Sequence, residues 1–287
     1  MARKNQGRNR AKKRGQCIFC KTWGELHEEH AIPLWLTDHL KYPAPVFFSH
    51  WGTPSPDHGP IERPYRNSRM NVPVGPICYE CNHDVLGILE TRNSPLIKRM
   101  IDGEEHHLTG EQQRGLGTWG YKTALTFALS WPHRLFAASR YEAFRRDQEP
   151  PEDVQVFLAR QGRNPPPLVH QQGLLIKPGV GPYPNGFCTT FAFGELVLTV
   201  CGHGDLGDEV FQFEVKPNLR GGLFQIWPLI HSPRIWPPPL RSFDGKTVLA
   251  LAMGLGFERI GAHPDHAFMN LLMSEWMPPS GPPPRGH

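Results

Sequence analysis

The sequence predicts an α+β protein, with a cysteine-clamped first half that carries helices and a β-rich second half. Three observations predict it. Two Cys-x-x-Cys pairs, Cys17/Cys20 and Cys78/Cys81, bracket the first stretch, and apolar residues at helical spacing follow them. Beyond about residue 147 the period changes to β-branched and aromatic runs cut by Gly, Pro and Asn. Composition agrees: 31 Pro and 29 Gly among 287 residues exclude a compact helical bundle, while 39% hydrophobic residues suffice for a buried core.

The chain opens with a basic arm, residues 1–16. Arg3, Lys4, Arg8, Arg10, Lys12, Lys13 and Arg14 stand there without one acid, so the whole-chain charge of +4 hides a net acidic remainder. Such an arm is usually unfolded and attracts polyanions, nucleic acid first; a solubilising tail is the bland alternative. Pro33 to Lys41 reads as a short helix starting near a proline. Residues 42–70, rich in Pro, Gly and Ser, read as a long loop. Its Arg63, Tyr65, Arg66 and Arg69 suit phosphate contact and base stacking, or are simply solvated.

Asn71 to Ile77 reads as an extended segment leading into Cys78, and Val85, Leu86 and Leu89 mark a helix face running to about Glu90. Ser94-Pro95 then reads as the start of another helix, Ser as cap and Pro in the first turn. Thr109-x-x-Gln112 is a capping-box pattern before a longer helix through Trp119, Ala124 and Phe127, whose aromatic residues read as core. The expected organisation is an arm (1–16), a first domain with a helical extension (17–146), a Pro/Gln-rich linker (147–172), a β-rich domain of no assigned role (173–276) and a disordered tail (277–287). Cys188 and Cys201 read as small buried hydrophobes within strands. The longest apolar stretch, Val248 to Phe257, is too short to span a bilayer, and no signal peptide is expected. The expected setting is therefore cytoplasmic, without membrane partners. There, six cysteines read as metal ligands or core residues rather than disulfides.

Six cysteines in a chain of this length give on the order of 0.1 Cys-x-x-Cys pairs by chance, so two pairs are informative. A tetrahedral Zn²⁺ takes four thiolates at about 2.3 Å, and a two-residue spacer lets one tight turn aim both sulfurs at one ion. A redox Cys-x-x-Cys would need a thioredoxin-like βαβ pattern, which is missing here. The expected cofactor is thus a structural zinc on Cys17, Cys20, Cys78 and Cys81. A site with all four positions filled by cysteine leaves none for substrate, so any chemistry lies beside it. Two features do: Glu28-Glu29-His30 after the first pair, and Asn82 directly after Cys81. The clamp would bring a carboxylate, a carboxamide and an imidazole together. Oxygen ligands suit Mg²⁺ or Mn²⁺, and a neutral imidazole suits a general base near pH 7.

Cys-x-x-Cys, then an acid-His pair, then Cys-x-x-Cys-Asn resembles the HNH (ββα-metal, treble-clef) endonucleases, in the arrangement of the endonuclease VII type. The wording EHAIPLWL, and CNHDVLGILE followed by Ile-Asp-Gly and a Trp-x-x-Lys-Thr helix, is similar to HNH proteins of phages and actinobacteria, over roughly residues 17–130. The resemblance implies a metal-dependent DNA endonuclease with a role in phage or bacterial defence among its options. His30 would be the general base and Glu29 and Asn82 the ligands of the catalytic divalent ion, with Glu28 and His83 as substitutes. Products would carry a 5′-phosphate and a 3′-hydroxyl. Many members have Asp where this chain has Glu29, and Asn71 would be the central Asn of the motif. DNA is the expected partner, RNA the second candidate, and a homodimer would supply two sites for cutting both strands. Arg10, Lys12, Lys13, Arg14, Arg63, Arg66 and Arg69 would contact phosphates. A non-catalytic, zinc-stabilised nucleic-acid-binding protein is the alternative.

Overall fold

A computed structural model describes residues 13–41, 46–51, 63–67, 72–130, 135–162, 167–174, 186–203, 213–229, 233–238 and 242–258. It is a mixed α+β structure. β1 (Arg14–Gln16), β2 (Trp23–His30) and β5 (Pro73–Cys78) form a small antiparallel sheet, with β2 in the middle. Between β2 and β5 the chain makes α1 (Leu34–Leu40), β3 (Val46–Trp51) and β4 (Arg63–Asn67). β5 carries a bulge, because His27 faces Ile77 but Glu29 faces Val74. The extra residue lets Val74 and Ile77, three apart, both be buried, which plain alternation would forbid.

A π-helical segment, Cys81–Gly87, runs directly into α2 (Ile88–Ile101). Ser94-Pro95, expected to open a new helix, lies inside α2. Pro95 has no N–H to give to the preceding turn, yet the helix continues through it. Leu89, Ile97, Met100 and Ile101 are buried and tie both halves to one core. Thr91 Oγ1 and Asn93 Nδ2 donate to the carbonyls of Gly87 (2.9 Å) and Leu89 (2.8 Å) along the same stretch.

β6 (His106–Leu108) leads to α3 (Gly110–Ala128), whose start bears the expected capping box: Gln112 N–H donates to Thr109 Oγ1 and Thr109 N–H to Gln112 Oε1. α3 is the central helix, and every residue from Leu116 to Ala128 is buried. Gly120 lets it approach the sheet closely, since a Cβ there would sit 2.6 Å from Leu198 and 3.3 Å from Val200. α4 (Ala138–Asp147) packs Tyr141 and Phe144 onto Phe19 of the N-terminal sheet region.

The second half forms β7 (Gln155–Gln161), β8 (Leu168–Leu174), β9 (Gly186–Phe193), β10 (Leu196–His203), β11 (Glu214–Val215), β12 (Leu223–Trp227), β13 (Arg234–Trp236), β14 (Ser242–Phe243), α5 (Gly245–Ala252) and β15 (Phe257–Glu258). The large sheet has the order β12-β7-β10-β9-β8-β3-β4, with β14 added in parallel to β7. Two chain segments therefore differ from their sequence reading. The expected loop at 42–70 supplies β3 and β4, and β3 pairs in parallel with β8; the expected linker at 147–172 contains β7 and most of β8. Strand pairing stabilises these segments: β3 with β4 and with distant β8, β7 with β10 and β12, and β8 with β9, pairings that a Pro-, Gly- and Gln-rich local composition does not announce. β13 also reaches back to pair with β6. Cys188 and Cys201 are buried in the sheet, as expected. No helix among the described residues is long and apolar enough to cross a membrane.

Candidate metal centre and adjoining charged site

The first cysteine pair sits in a tight turn after β1. Lys21 N–H donates to Cys17 O (2.9 Å), Cys17 N–H donates to Thr22 O (3.0 Å), and Lys21 takes a left-handed φ of 61°. The second pair ends β5 and begins the π-helical segment. Ile18 N–H docks the turn onto Pro76 O at 3.1 Å, which joins two segments far apart in the chain. The Sγ atoms of Cys17, Cys20, Cys78 and Cys81 all lie within 4.8 Å of one another, and Cys20 and Cys78 are 3.6 Å apart. Four sulfurs at 2.3 Å from one ion would be about 3.8 Å apart, so the group fits a tetrahedral metal with small adjustments. Backbone N–H groups already point at the sulfurs: Cys78 N–H donates to Cys17 Sγ (3.4 Å) and Cys81 N–H to Cys78 Sγ (3.5 Å).

Burial pushes the Cys81 thiol well up, with the neighbouring Cys17 adding to it, and burial also raises Cys78. At Cys20 burial acts the same way, but hydrogen bonds from Thr22, Cys78 and Cys17 outweigh it and bring the thiol down to about 7. The raised Cys78 and Cys81 thiols are what a dication would relieve, since a coordinated thiol loses its proton. The donor set, four sulfurs, is the one zinc favours. These four residues are the ones the spacing predicts.

Glu29 and His30 are the last two residues of β2, opposite Val74 and Pro73 of β5, and both are half-buried. Asn82 is half-buried in the first turn of the π-helical segment, next to Cys81. Glu28 and His83 are exposed; the two-residue period turns Glu28 to the opposite face from Glu29. Arg63 and Arg66 lie on β4, and Lys13 and Arg14 are exposed at β1. Arg10, Lys12, Arg69 and Asn71 lie outside the described residues, as do the 277–287 tail and most of the arm.

One feature of the site is not legible from motif spacing. Lys122, in the middle of α3, is 0% exposed and pairs with two carboxylates, Glu90 of α2 at short range and Glu29 of β2 at 3.6 Å. A buried ammonium is costly unless paired, and here two acids from separate elements enclose it. Glu90 thus pairs helix with helix and also shares a cation with Glu29. Burial raises the Glu29 carboxyl above its ordinary value; Lys122 and His30 pull it down and the Glu90 charge pushes it up. One sequence signal does exist: Lys122 is the sole charged residue between Leu116 and Ala128. A lone charge in so apolar a helix requires an acid partner.

Comparison with family models, with curated proteins and with solved structures returned no match. What fold and site define is an α+β protein with a four-cysteine group able to hold a metal ion.

Proposed function

We propose that this chain is an HNH-type, metal-dependent DNA endonuclease whose nuclease core is held by structural zinc on Cys17, Cys20, Cys78 and Cys81. The observation that carries the reading is the cysteine group itself. It fastens the turn before β2 to the end of β5, and β2 delivers Glu29 and His30 while Asn82 follows the last cysteine. Glu29 and Asn82 would hold a Mg²⁺ or Mn²⁺ ion. Glu29 is an oxygen donor of the type such ions take, and it would share its charge with Lys122, which already pairs with it and with Glu90. When bound, such an ion supplies Lewis-acid stabilisation of the departing 3′ oxygen. His30 accepts the proton of the attacking water, the role a neutral imidazole fills near pH 7. Lys13, Arg14, Arg63 and Arg66 attract the phosphate backbone and fix its register without reading sequence.

The Lys122 contact also favours a second reading. Glu29 has a cation without any added ion, so the pair serves equally well as a structural element of a zinc-stabilised nucleic-acid-binding protein. The two readings separate in one assay. Supercoiled plasmid incubated with wild type and Mg²⁺ or Mn²⁺ should be nicked, and His30→Ala should lose at least a hundredfold in rate. Nicking undiminished in His30→Ala removes His30 from the mechanism. Absence of cleavage on supercoiled, linear, branched and single-stranded DNA leaves the binding protein.

A further inference from the structure

The described residues expose two large aromatic side chains, Trp23 (69%), at the start of β2, and Tyr79 (58%), directly after β5. Tyr79 lies in the Cys78–Cys81 spacer, its ring 4.1 Å from that of His83 and tilted by 36°. The ring of His27 meets Tyr79 edge-on, at 5.5 Å and 65°. On β2 the two-residue period places Trp23, Glu25 and His27 on one face, and the His27 Nε2–Glu25 Oε1 contact of 3.5 Å agrees. Trp23 and His27 are thus about 13 Å apart along the strand.

Rings as exposed as Trp23 and Tyr79 are costly to leave in water, and a series of them, with His83 already lying against Tyr79, suits a partner that presents flat faces in series. Charge selects among such partners. Six bases, Arg3, Lys4, Arg8, Arg10, Lys12 and Lys13, precede β1 in the sequence without an acid among them, and Arg14 of β1 stands opposite Glu25 of β2. The partner is therefore anionic as well as flat-faced. In a duplex the base faces are stacked on one another and closed to protein rings, so these rings need unpaired bases.

We propose that Trp23, His27, Tyr79 and His83 form a stacking platform for unpaired bases, so that the polynucleotide this chain prefers is single-stranded DNA. The proposal rests on the nucleic-acid reading above and is independent of cleavage. The test uses full-length, zinc-loaded His30→Ala without added Mg²⁺ and follows the anisotropy of fluorescein-labelled oligothymidylate and of a duplex of equal length. Oligothymidylate should bind more tightly. Tyr79→Ala and Trp23→Ala should each weaken its binding by roughly 5- to 100-fold, Tyr79→Phe should restore it, and duplex binding should stay unchanged. Zinc content and near-ultraviolet circular dichroism establish that the variants are folded. Equal affinity of folded variants for oligothymidylate, or a preference for duplex, overturns the platform. Ring-dependent binding by a protein that cleaves nothing keeps the platform and removes the nuclease. Nicking of plasmid together with ring-independent binding does the reverse.

Discussion

The two cysteine groups of this protein look alike in sulfur spacing and differ in everything else. Cys188 and Cys201 face each other across β9 and β10 with Sγ atoms 3.3 Å apart, and Cys188 Sγ also contacts Leu251 O at 3.6 Å. They are wholly buried between strands, and burial drives the Cys201 thiol far up. Two donors on flat neighbouring strands cannot complete a tetrahedron. The N-terminal group has four donors on turns, half of them reachable from solvent, with backbone N–H groups aimed at the sulfurs. The other polar groups do not divide so cleanly. Lys122 is a full charge buried in the N-terminal half, and the large sheet buries neutral groups, with Gln171 Nε2 donating to Thr189 Oγ1 (2.9 Å) and to Ala124 O (2.9 Å), but also an ion pair between Arg160 of β7 and Glu195 at 2.7 Å. What separates the two regions is the cysteine group, not buried charge as such.

The largest expected break comes from Cys78→Ser. Purified wild type should carry about one zinc per chain by elemental analysis, and the variant none. Because metal binding at such sites contributes on the order of 10 kcal/mol, the variant should lose cooperative unfolding of the N-terminal half. A well-folded, metal-free wild type would refute the site. Next is Lys122→Met, which strands Glu29 and Glu90 without their cation. It should lower stability by about 3–5 kcal/mol in urea titrations, and adding Glu90→Gln should recover part of that loss.

How much of this was readable follows from the distance between partners. The cysteine group, α1 and the capping box of α3 were legible, because each is written within a few residues. β3 was not, since its partner β8 lies more than a hundred residues on. Pro95 misled, because local rules place proline at a helix start and tertiary burial of Ile97 and Met100 overrode them. α4 carries a polar sequence that gives little apolar periodicity, and only its Tyr141 and Phe144 contacts explain it. Lys122 has no motif around it, and only the fold brings it to Glu29 and Glu90 from three separate elements.

A pH series sharpens the contrast from the sheet side. His170 is buried beside Gln172, and burial holds its imidazole down at about 4 against an ordinary 6.5. The unfolded chain takes up that proton first, so stability is fully present above pH 6.5 and is lost as pH falls towards 4. The loss should reach roughly 3 kcal/mol, read as the difference in urea midpoint between wild type and His170→Gln across that range. The smallest effect should come from Cys188→Ala, about 1 kcal/mol with zinc content unchanged. A large effect there, or a change in metal, would erase the distinction between the two cysteine groups.

The parallel pairing of β3 with β8 has a consequence for biosynthesis. Strand β3 lies between the two halves of the clasp, so a nascent chain can close Cys17 and Cys20 onto Cys78 and Cys81 long before Leu168–Leu174 leaves the ribosome. During that interval the edge of β3 awaiting its neighbour has open backbone donors and acceptors. Unmatched edges of this kind recruit strands from other molecules. Polypeptides halted before residue 168 should therefore clump, as light scattering of the released chains would show, whereas ones that run past β12 and β14, which cover the edge of β7, should not.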